Sequence, residues 1–259
     1  CLAVSFKICY LILAKIEKNV VFLQSILKMF CMKNVYLILV ALINIYTFGS
    51  CNQKYKINGN VDLYGYEGLQ LNLVSYSDGD FIFIDSCKVY HGKFQMDGVV
   101  DDITFAILCR GKEPILPLYL EKGEISVNMK PTQYDVDGTE QNDLLYDFLS
   151  EKRVVDNRYE ETVQKKMNLL SEGLFNKDEL ERIDKAIDDI CLEMENLMYD
   201  FITKNYNQKV SVGVFSMLCN SETTSITPLI KRILDNAPKE FLKSPFVENY
   251  TQEIGYAPN

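Results

Sequence analysis

Residues 69–90 read LQLNLVSYSDGDFIFIDSCKVY, and their alternation decides the fold of the first half of the chain. Apolar residues recur at every second position, at Leu69, Leu71 and Leu73 and again at Phe81 and Phe83. This period of two is typical of strands that bury one face, so we expect each set to lie on one side of a sheet. Residues 77–80, Ser-Asp-Gly-Asp, separate the two runs and predict a hairpin turn, because glycine adopts a positive φ without a steric cost.

The same pattern continues on both sides of this hairpin, from Tyr55 to Gly138. Short runs rich in β-branched and aromatic residues alternate with turn residues, and the turn signals recur about every eight to twelve residues. His91-Gly92 is a second expected hairpin turn. We therefore predict that residues 51–138 form an all-β domain, either an antiparallel sandwich or a small barrel.

The hydrophobic period changes to about 3.6 residues at Thr139, which indicates helices. Thr139 is the expected N-cap of a first long helix that ends near Gly173, and Asn176 is the expected N-cap of a second one. We expect the two helices to pack as an antiparallel hairpin. The apolar stripe of the first helix is predicted to be continuous, along Leu145, Phe148, Val155, Tyr159, Val163 and Met167.

Shorter helices are predicted further along, at about residues 211–220, at 228–235 opening with Thr227-Pro228, and at 238–243 opening with Pro238. Residues 139–259 are thus a predicted helical domain. As a whole, the sequence predicts an α+β protein in which an all-β domain precedes an α-helical one.

The residues before the β domain are typical of an export signal. MKNVYLILVALINIYTFGSC, at residues 32–51, has a basic start, a short apolar run, and Gly49 and Ser50 just before a cysteine. The apolar run is shorter than the roughly 20 residues of a membrane span. We predict that residues 32–50 are a lipoprotein signal peptide and that Cys51 is the lipidated first residue of the mature protein.

Two alternatives stay open for the N-terminal region. One is a plain signal peptide or anchor helix that happens to end in a cysteine. Residues 1–31 begin without a Met and are interpreted as an upstream extension or a mis-set start, although an additional hydrophobic segment is the second interpretation.

The charge distribution supports export. The chain has a net charge of -9, but residues 1–50 carry five lysines against one glutamate, which leaves -13 on the remainder. An acidic body without a basic stripe argues against binding to nucleic acid. We expect a bacterial cell-envelope protein that contacts the membrane through lipid on Cys51 and faces the periplasm, or lies at the outer membrane.

Four cysteines remain after Cys51, and export makes them candidates for disulfides: Cys87, Cys109, Cys191 and Cys219. The first two fall in the β domain and the last two in the helical domain, so pairing within each domain is the simplest expectation. The alternative is that they are buried free thiols. No pair has the C-x-x-C spacing of a dithiol redox centre or a zinc knuckle.

Other signals of chemistry are weak. His91 is the only histidine in the chain and is predicted to lie in an exposed turn, without the oriented partners of a catalytic triad. The aspartates cluster at turns, and no twelve-residue calcium loop or glycine-rich phosphate loop occurs. We therefore predict no catalytic, metal or cofactor-binding site and no cofactor.

The stretch FIDSCKVYHGKFQMDGVV, residues 83–100, resembles the N-terminal β domain of unknown function of Bacteroidetes-type envelope lipoproteins. The similarity extends to LYLEKGEISV at 118–127, DVDGTEQND at 135–143 and FITKNYNQKVSVGVFSML at 201–218, and it covers nearly all of residues 54–254. The positions that carry the resemblance in the first stretch are Ile84, Asp85, Ser86, Gly92, Lys93, Phe94, Gly98 and Val99.

In this family the β domain often precedes a helical spacer and a thioredoxin-like domain of the thiol-specific antioxidant class. The resemblance implies that residues 139–259 are the spacer, and EIGYAPN, residues 253–259, resembles the linker that opens the thioredoxin-like domain. The chain departs from the redox-active relatives, since it contains neither Trp nor C-x-x-C.

Two functions follow as expectations. The first is a non-catalytic binding or positioning module, related to the N-terminal region of thiol-disulfide oxidoreductases, with a protein partner or self-association and an unknown small-molecule ligand. The alternative is the N-terminal part of a thioredoxin-like oxidoreductase whose catalytic domain is missing. A glycan-binding surface lipoprotein is a weaker third interpretation, because the chain has no recognisable aromatic platform.

Overall fold

The computed structural model describes residues 53–77, 80–171, 177–220 and 227–256. The eight strands are β1 (Gln53–Val61), β2 (Gln70–Ser77), β3 (Asp80–Lys88), β4 (Lys93–Val100), β5 (Thr104–Arg110), β6 (Glu113–Leu120), β7 (Gly123–Lys130) and β8 (Gln133–Asp137). The described helices are α1 (Glu140–Ser171), α2 (Lys177–Lys204), α3 (Lys209–Asn220), α4 (Pro228–Asp235), α5 (Lys239–Leu242) and α6 (Pro245–Glu253). Cys51, the turn at Asp78-Gly79 and the predicted cap Asn176 lie outside these residues.

The strands form two four-stranded sheets, in the order β4-β1-β7-β8 and β3-β2-β5-β6. Their inner faces share one apolar core, to which Ile57 and Ile125 contribute from the first sheet and Leu73 and Leu118 from the second. The α+β class and the all-β first half are therefore confirmed, as a sandwich. One pair departs from the antiparallel pattern, because β1 and β7 run parallel.

The hairpin of β2 and β3 bears out only part of the predicted alternation. Leu71 and Leu73 are fully buried. A bulge in β3 shifts the register, so that Asp85 pairs with Leu73 but Phe83 pairs with Val74. An inserted residue moves the following side chains to the other face of a strand. The side chain of Phe83 is 62% exposed, so the alternation in this run does not mark a buried face as it does in β2.

Helices α1 and α2 form the predicted long hairpin and pack against each other. Where the hairpin meets α3, α4 and α5, Phe148 and Ile202 join Phe215, Ile233 and Phe241 in a second apolar core. Thr227 caps α4 as predicted, its Oγ1 accepting a hydrogen bond from the Ile230 amide. None of the described helices combines the length and the hydropathy that crossing a membrane requires.

The apolar stripe of α1 is buried over only half its length. Leu145, Phe148 and Val155 are buried, but Tyr159 is 42% and Met167 59% exposed. The reason is that the ends of α1 and α2 nearest their connection pack mainly on each other. Helix α6 was not predicted, although Ser244 followed by Pro245 is a recognisable helix start.

The first turn of α1 lies against the outer edge of β6. Asn142 Oδ1 accepts a hydrogen bond from the Tyr119 amide at 2.8 Å, and Asn142 Nδ2 donates to the Tyr119 carbonyl at 2.8 Å. One turn further on, Tyr146 Oη donates to the Pro117 carbonyl at 3.0 Å. Proline has no amide hydrogen, so this stretch of edge is paired by side chains of a helix instead of by another strand.

The start of α1 is capped differently from the prediction. Thr139 is at the expected position, but its hydroxyl accepts a hydrogen bond from Asn142 Nδ2 at 2.8 Å. The amide of Gln141 instead donates to Glu121 Oε1 at 2.8 Å, and Glu121 is buried between β6 and β7. A carboxylate at a helix N-terminus is favourable because it faces unpaired amides. The cap therefore also fastens the helix to the sandwich.

Replacing Asn142 with Ala is expected to destabilise the protein by about 3 kcal/mol. The change leaves the buried amide and carbonyl of Tyr119 without partners, and each such loss costs roughly 1–3 kcal/mol. Urea unfolding followed by circular dichroism measures the difference. Asn157→Ala is the matched control, because Asn157 is an exposed position on the same helix and should change stability by less than about 0.5 kcal/mol. Equal costs for the two variants would contradict the proposed role of Asn142.

Candidate binding surface

A tight turn joins the end of β3 to the start of β4. Tyr90 and Lys93 exchange two backbone hydrogen bonds of 2.9 and 3.0 Å, and the residues between them, His91 and Gly92, have φ values of 51° and 68°. Two successive positive φ angles are the conformation of a type I′ turn. The Gly92 carbonyl accepts a hydrogen bond from the Val61 amide at 2.7 Å. The predicted His91-Gly92 turn is thus confirmed, and it is attached to the end of β1.

The turn also has a side-chain anchor. Glu67 Oε1 accepts a hydrogen bond from the His91 amide at 3.1 Å. Histidine tolerates the left-handed region better than most residues do, but the conformation still costs energy. His91 therefore holds backbone geometry here and is exposed to solvent, as the sequence predicted.

A surface cavity of about 460 Å³ lies beside this turn, on the outer face of the first sheet. Its wall includes side chains of β1, β4 and the end of β3, among them Asn58, Asn60, Lys88, Tyr90, Lys93 and Gln95. The register explains why they meet, since Asn58 pairs with Gln95 and Asn60 with Lys93 across β1 and β4. Small-molecule pockets in proteins are commonly about 300–1,000 Å³, so the volume is within that range, and the cavity is open to solvent over much of its extent.

The floor of the cavity is made rigid by a close approach of two strands. Gly59 is buried in β1, and the ring of its pairing partner Phe94 lies against it. A Cβ atom at position 59 would be 2.0 Å from Phe94 Cε1, so only glycine fits without moving the ring. Lys93, which precedes Phe94, is thereby held at the cavity wall by a well-packed strand.

The polar groups of the wall are largely free of protein partners. Among the described residues, neither Lys88 nor Lys93 forms an ion pair. The side chains of Asn58, Gln95 and Tyr90 likewise have no hydrogen bond to the described part of the chain, whereas Asn60 donates to Asn128 at 3.2 Å. The described wall carries two positive charges and no carboxylate.

The four candidate cysteines are free thiols in the structure. Cys87 lies half-buried in β3, Cys109 and Cys219 are buried in β5 and α3, and Cys191 is exposed on α2. Burial, followed by the nearby charge of Asp85, raises the pKa of the Cys87 thiol to about 11. Burial raises the pKa of Cys219 to about 12.

The expected bridge between Cys87 and Cys109 does not fit the sheet. Cys87 pairs with Leu71 on one side of β2, and Cys109 pairs with Asn72 on the other side. Neighbouring strands are about 4.8 Å apart, so the two cysteines are roughly 10 Å apart. A disulfide needs Cα atoms within about 7 Å. Bridges that involve Cys191 or Cys219 stay a prediction.

The described residues contain no group of three or more His, Cys, Asp or Glu side chains arranged to hold a metal ion. The backbone amide of His91 donates to Glu67, and within the described residues no nucleophilic side chain is hydrogen-bonded to its imidazole. The described wall of the cavity offers hydrogen-bonding groups and positive charge.

One family model matches the region from β1 to the start of α1. Residues 55–145 match the family model of a domain of unknown function, DUF4369. No curated protein matches the chain. The matched region begins in β1 and ends just beyond Asn142, so the DUF4369 match includes the helical turn that pairs the edge of β6. The cavity beside the Tyr90–Lys93 turn lies within it as well.

Several residues of the sequence motif are now explained by geometry. Gly92 forms the turn and Phe94 packs on Gly59, and Lys93 between them reaches the cavity. The other wall residues were not predicted, because Asn58, Asn60 and Gln95 are ordinary polar positions of alternating strands. Only the register of β1 and β4 could have shown that they are neighbours.

Thiol labelling should distinguish the four cysteines in the folded protein. We expect Cys191 to react first with a maleimide at about pH 8, because it alone of the four is exposed, while burial and raised pKa values protect Cys87 and Cys219. Mass spectrometry of the labelled peptides gives the order of reaction. In urea all four should react, and the Cys191→Ser variant should lose the fast signal. Fast labelling of Cys219 in the folded protein would contradict this burial pattern.

Proposed function

We propose that this chain is a lipid-anchored, non-catalytic binding module of the bacterial cell envelope. The observation that carries the proposal is the sequence before β1, in which an apolar run and Gly49-Ser50 precede Cys51. Cys51 is only two residues before Gln53, the first residue of β1. Lipid on Cys51 would therefore hold the sandwich directly at the membrane surface.

The position of the cavity supports a binding role at a distance from the membrane. From Gln53 to Asn60 the strand advances seven residues, about 23 Å at roughly 3.3 Å per residue. The cavity is lined by residues near the far end of β1, beside the Tyr90–Lys93 turn. An anchored sandwich would thus present it away from the lipid, toward the periplasm or another compartment facing that surface.

The proposal of a non-catalytic role is supported by the chemistry of the described surface. The free polar groups at the cavity are amides, lysines and a phenol, and raised pKa values make the thiols of Cys87 and Cys219 poor nucleophiles. A relation to the N-terminal region of thiol-disulfide oxidoreductases rests on the sequence resemblance and is part of the proposal.

Expression in a host that processes lipoproteins tests the anchor. We expect mass spectrometry of the purified protein to find Cys51 as the first residue, with a diacylglyceryl group joined to its Sγ by a thioether. The Cys51→Ala variant should keep its leader and remain unprocessed. Cys191→Ala is the matched control and should be lipidated like the unchanged protein, because that thiol lies on α2. An unmodified Cys51 thiol, or a mature chain that starts upstream of it, would refute the anchor.

A further inference from the structure

We propose that the cavity beside the Tyr90–Lys93 turn binds an anionic sugar, meaning a saccharide that carries a carboxylate or a phosphate. This inference rests on the proposed function, for which it names the class of ligand. Its basis is the convergence of two unpaired lysines with three amides and an exposed phenol on one cavity, in a chain of net charge -9.

The charge of the ligand follows from the lysines. Lys88 and Lys93 line the same cavity and have no carboxylate partner among the described residues. Two positive charges on the wall of one cavity repel each other, and an anion between them removes that repulsion. Because the body as a whole is acidic, long-range attraction does not help an anion to approach. The anion must therefore gain its affinity from contacts inside the cavity.

The saccharide part follows from the amides. Asn58, Asn60 and Gln95 each offer both donors and an acceptor, and sugar hydroxyls also donate and accept. An inorganic anion would pair only with donors and would leave the amide carbonyls of the wall unused. It would also leave most of the 460 Å³ empty.

Tyr90 adds an apolar surface beside the polar groups. Its side chain is 59% exposed, and its backbone is fixed by the two hydrogen bonds with Lys93. The ring can cover the C–H face of a sugar while its hydroxyl stays in contact with water. One tyrosine is a small platform, so the site is suited to a single sugar unit more than to a long chain.

Titration of the full-length, detergent-solubilised protein with glucuronate, followed by nuclear magnetic resonance, tests the proposal. We expect a dissociation constant of about 1 mM, with amide signals of Asn58, Asn60 and Gln95 shifting together. Glucose 6-phosphate should bind comparably, because its phosphate replaces the carboxylate. Neutral glucose and inorganic phosphate should each bind at least about tenfold more weakly, since each lacks one half of the recognised chemistry.

Charge-matched variants locate the site. Lys88→Gln combined with Lys93→Gln should weaken glucuronate binding at least about tenfold without altering the melting temperature, because both side chains are exposed and unpaired in the described structure. Lys54→Gln combined with Lys122→Gln removes the same charge from exposed positions away from the cavity and should change affinity less than about twofold. An equal loss of glucuronate affinity in the two double variants would contradict the placement of the binding site at this cavity.

Other outcomes separate this inference from the proposed anchor. Vesicles that contain phosphatidylglycerol test whether a lipid headgroup supplies the anion and the hydroxyls. Binding to these vesicles without binding to glucuronate would overturn the proposal of a sugar ligand. Lack of any response to glucuronate and glucose 6-phosphate would do so too. Lipidation of Cys51 is measured separately by mass spectrometry. A failure of sugar binding therefore leaves the proposed anchor intact, and an unmodified Cys51 leaves the proposed sugar site intact.

Discussion

A free strand edge has to satisfy its backbone hydrogen bonds, and this constraint organises the described structure. Strand β6 has two prolines and ends one of the two sheets, so it has no neighbouring strand on its outer side. The side-chain amide of Asn142 takes the place of that neighbour by pairing with the backbone of Tyr119. The hydroxyl of Tyr146 likewise pairs with the carbonyl of Pro117. Because Asn142 and Tyr146 are one helical turn apart, the pairing fixes the direction of α1. The remaining helices are then built on the hairpin that α1 begins.

On the opposite side of the sandwich, the chain itself connects the two sheets. Strand β3 belongs to one sheet, but its end forms the tight turn with β4 of the other sheet. The turn carries outward-facing side chains of both strands to the outer face of β1. The cavity lies where the chain passes from one sheet to the other, and the packing of Phe94 on Gly59 keeps its base rigid.

Local patterns predicted what depends on local physics. Alternation identified the buried positions Leu71 and Leu73, the change of period placed the start of α1, and the Thr227-Pro228 signal placed α4. Features that depend on distant partners were missed. The parallel pairing of β1 with β7, the bulge that exposes Phe83 and the pairing of Tyr119 by Asn142 join residues far apart in sequence. The cavity belongs to this second group, because Asn58 and Gln95 become neighbours only through the register of two strands.

The central position of β1 has a mechanical consequence if Cys51 bears the lipid. Strand β1 is hydrogen-bonded on both sides, to β4 and to β7, along nearly its whole length. A force applied between the membrane and the body would pull along this strand, at right angles to the hydrogen bonds of its antiparallel neighbour. Such a load is distributed over many of the hydrogen bonds of β1 at the same time, so the bonds do not break one after another. A tether attached to an edge strand would peel away more easily, so the fold is well suited to holding its cavity in place under drag.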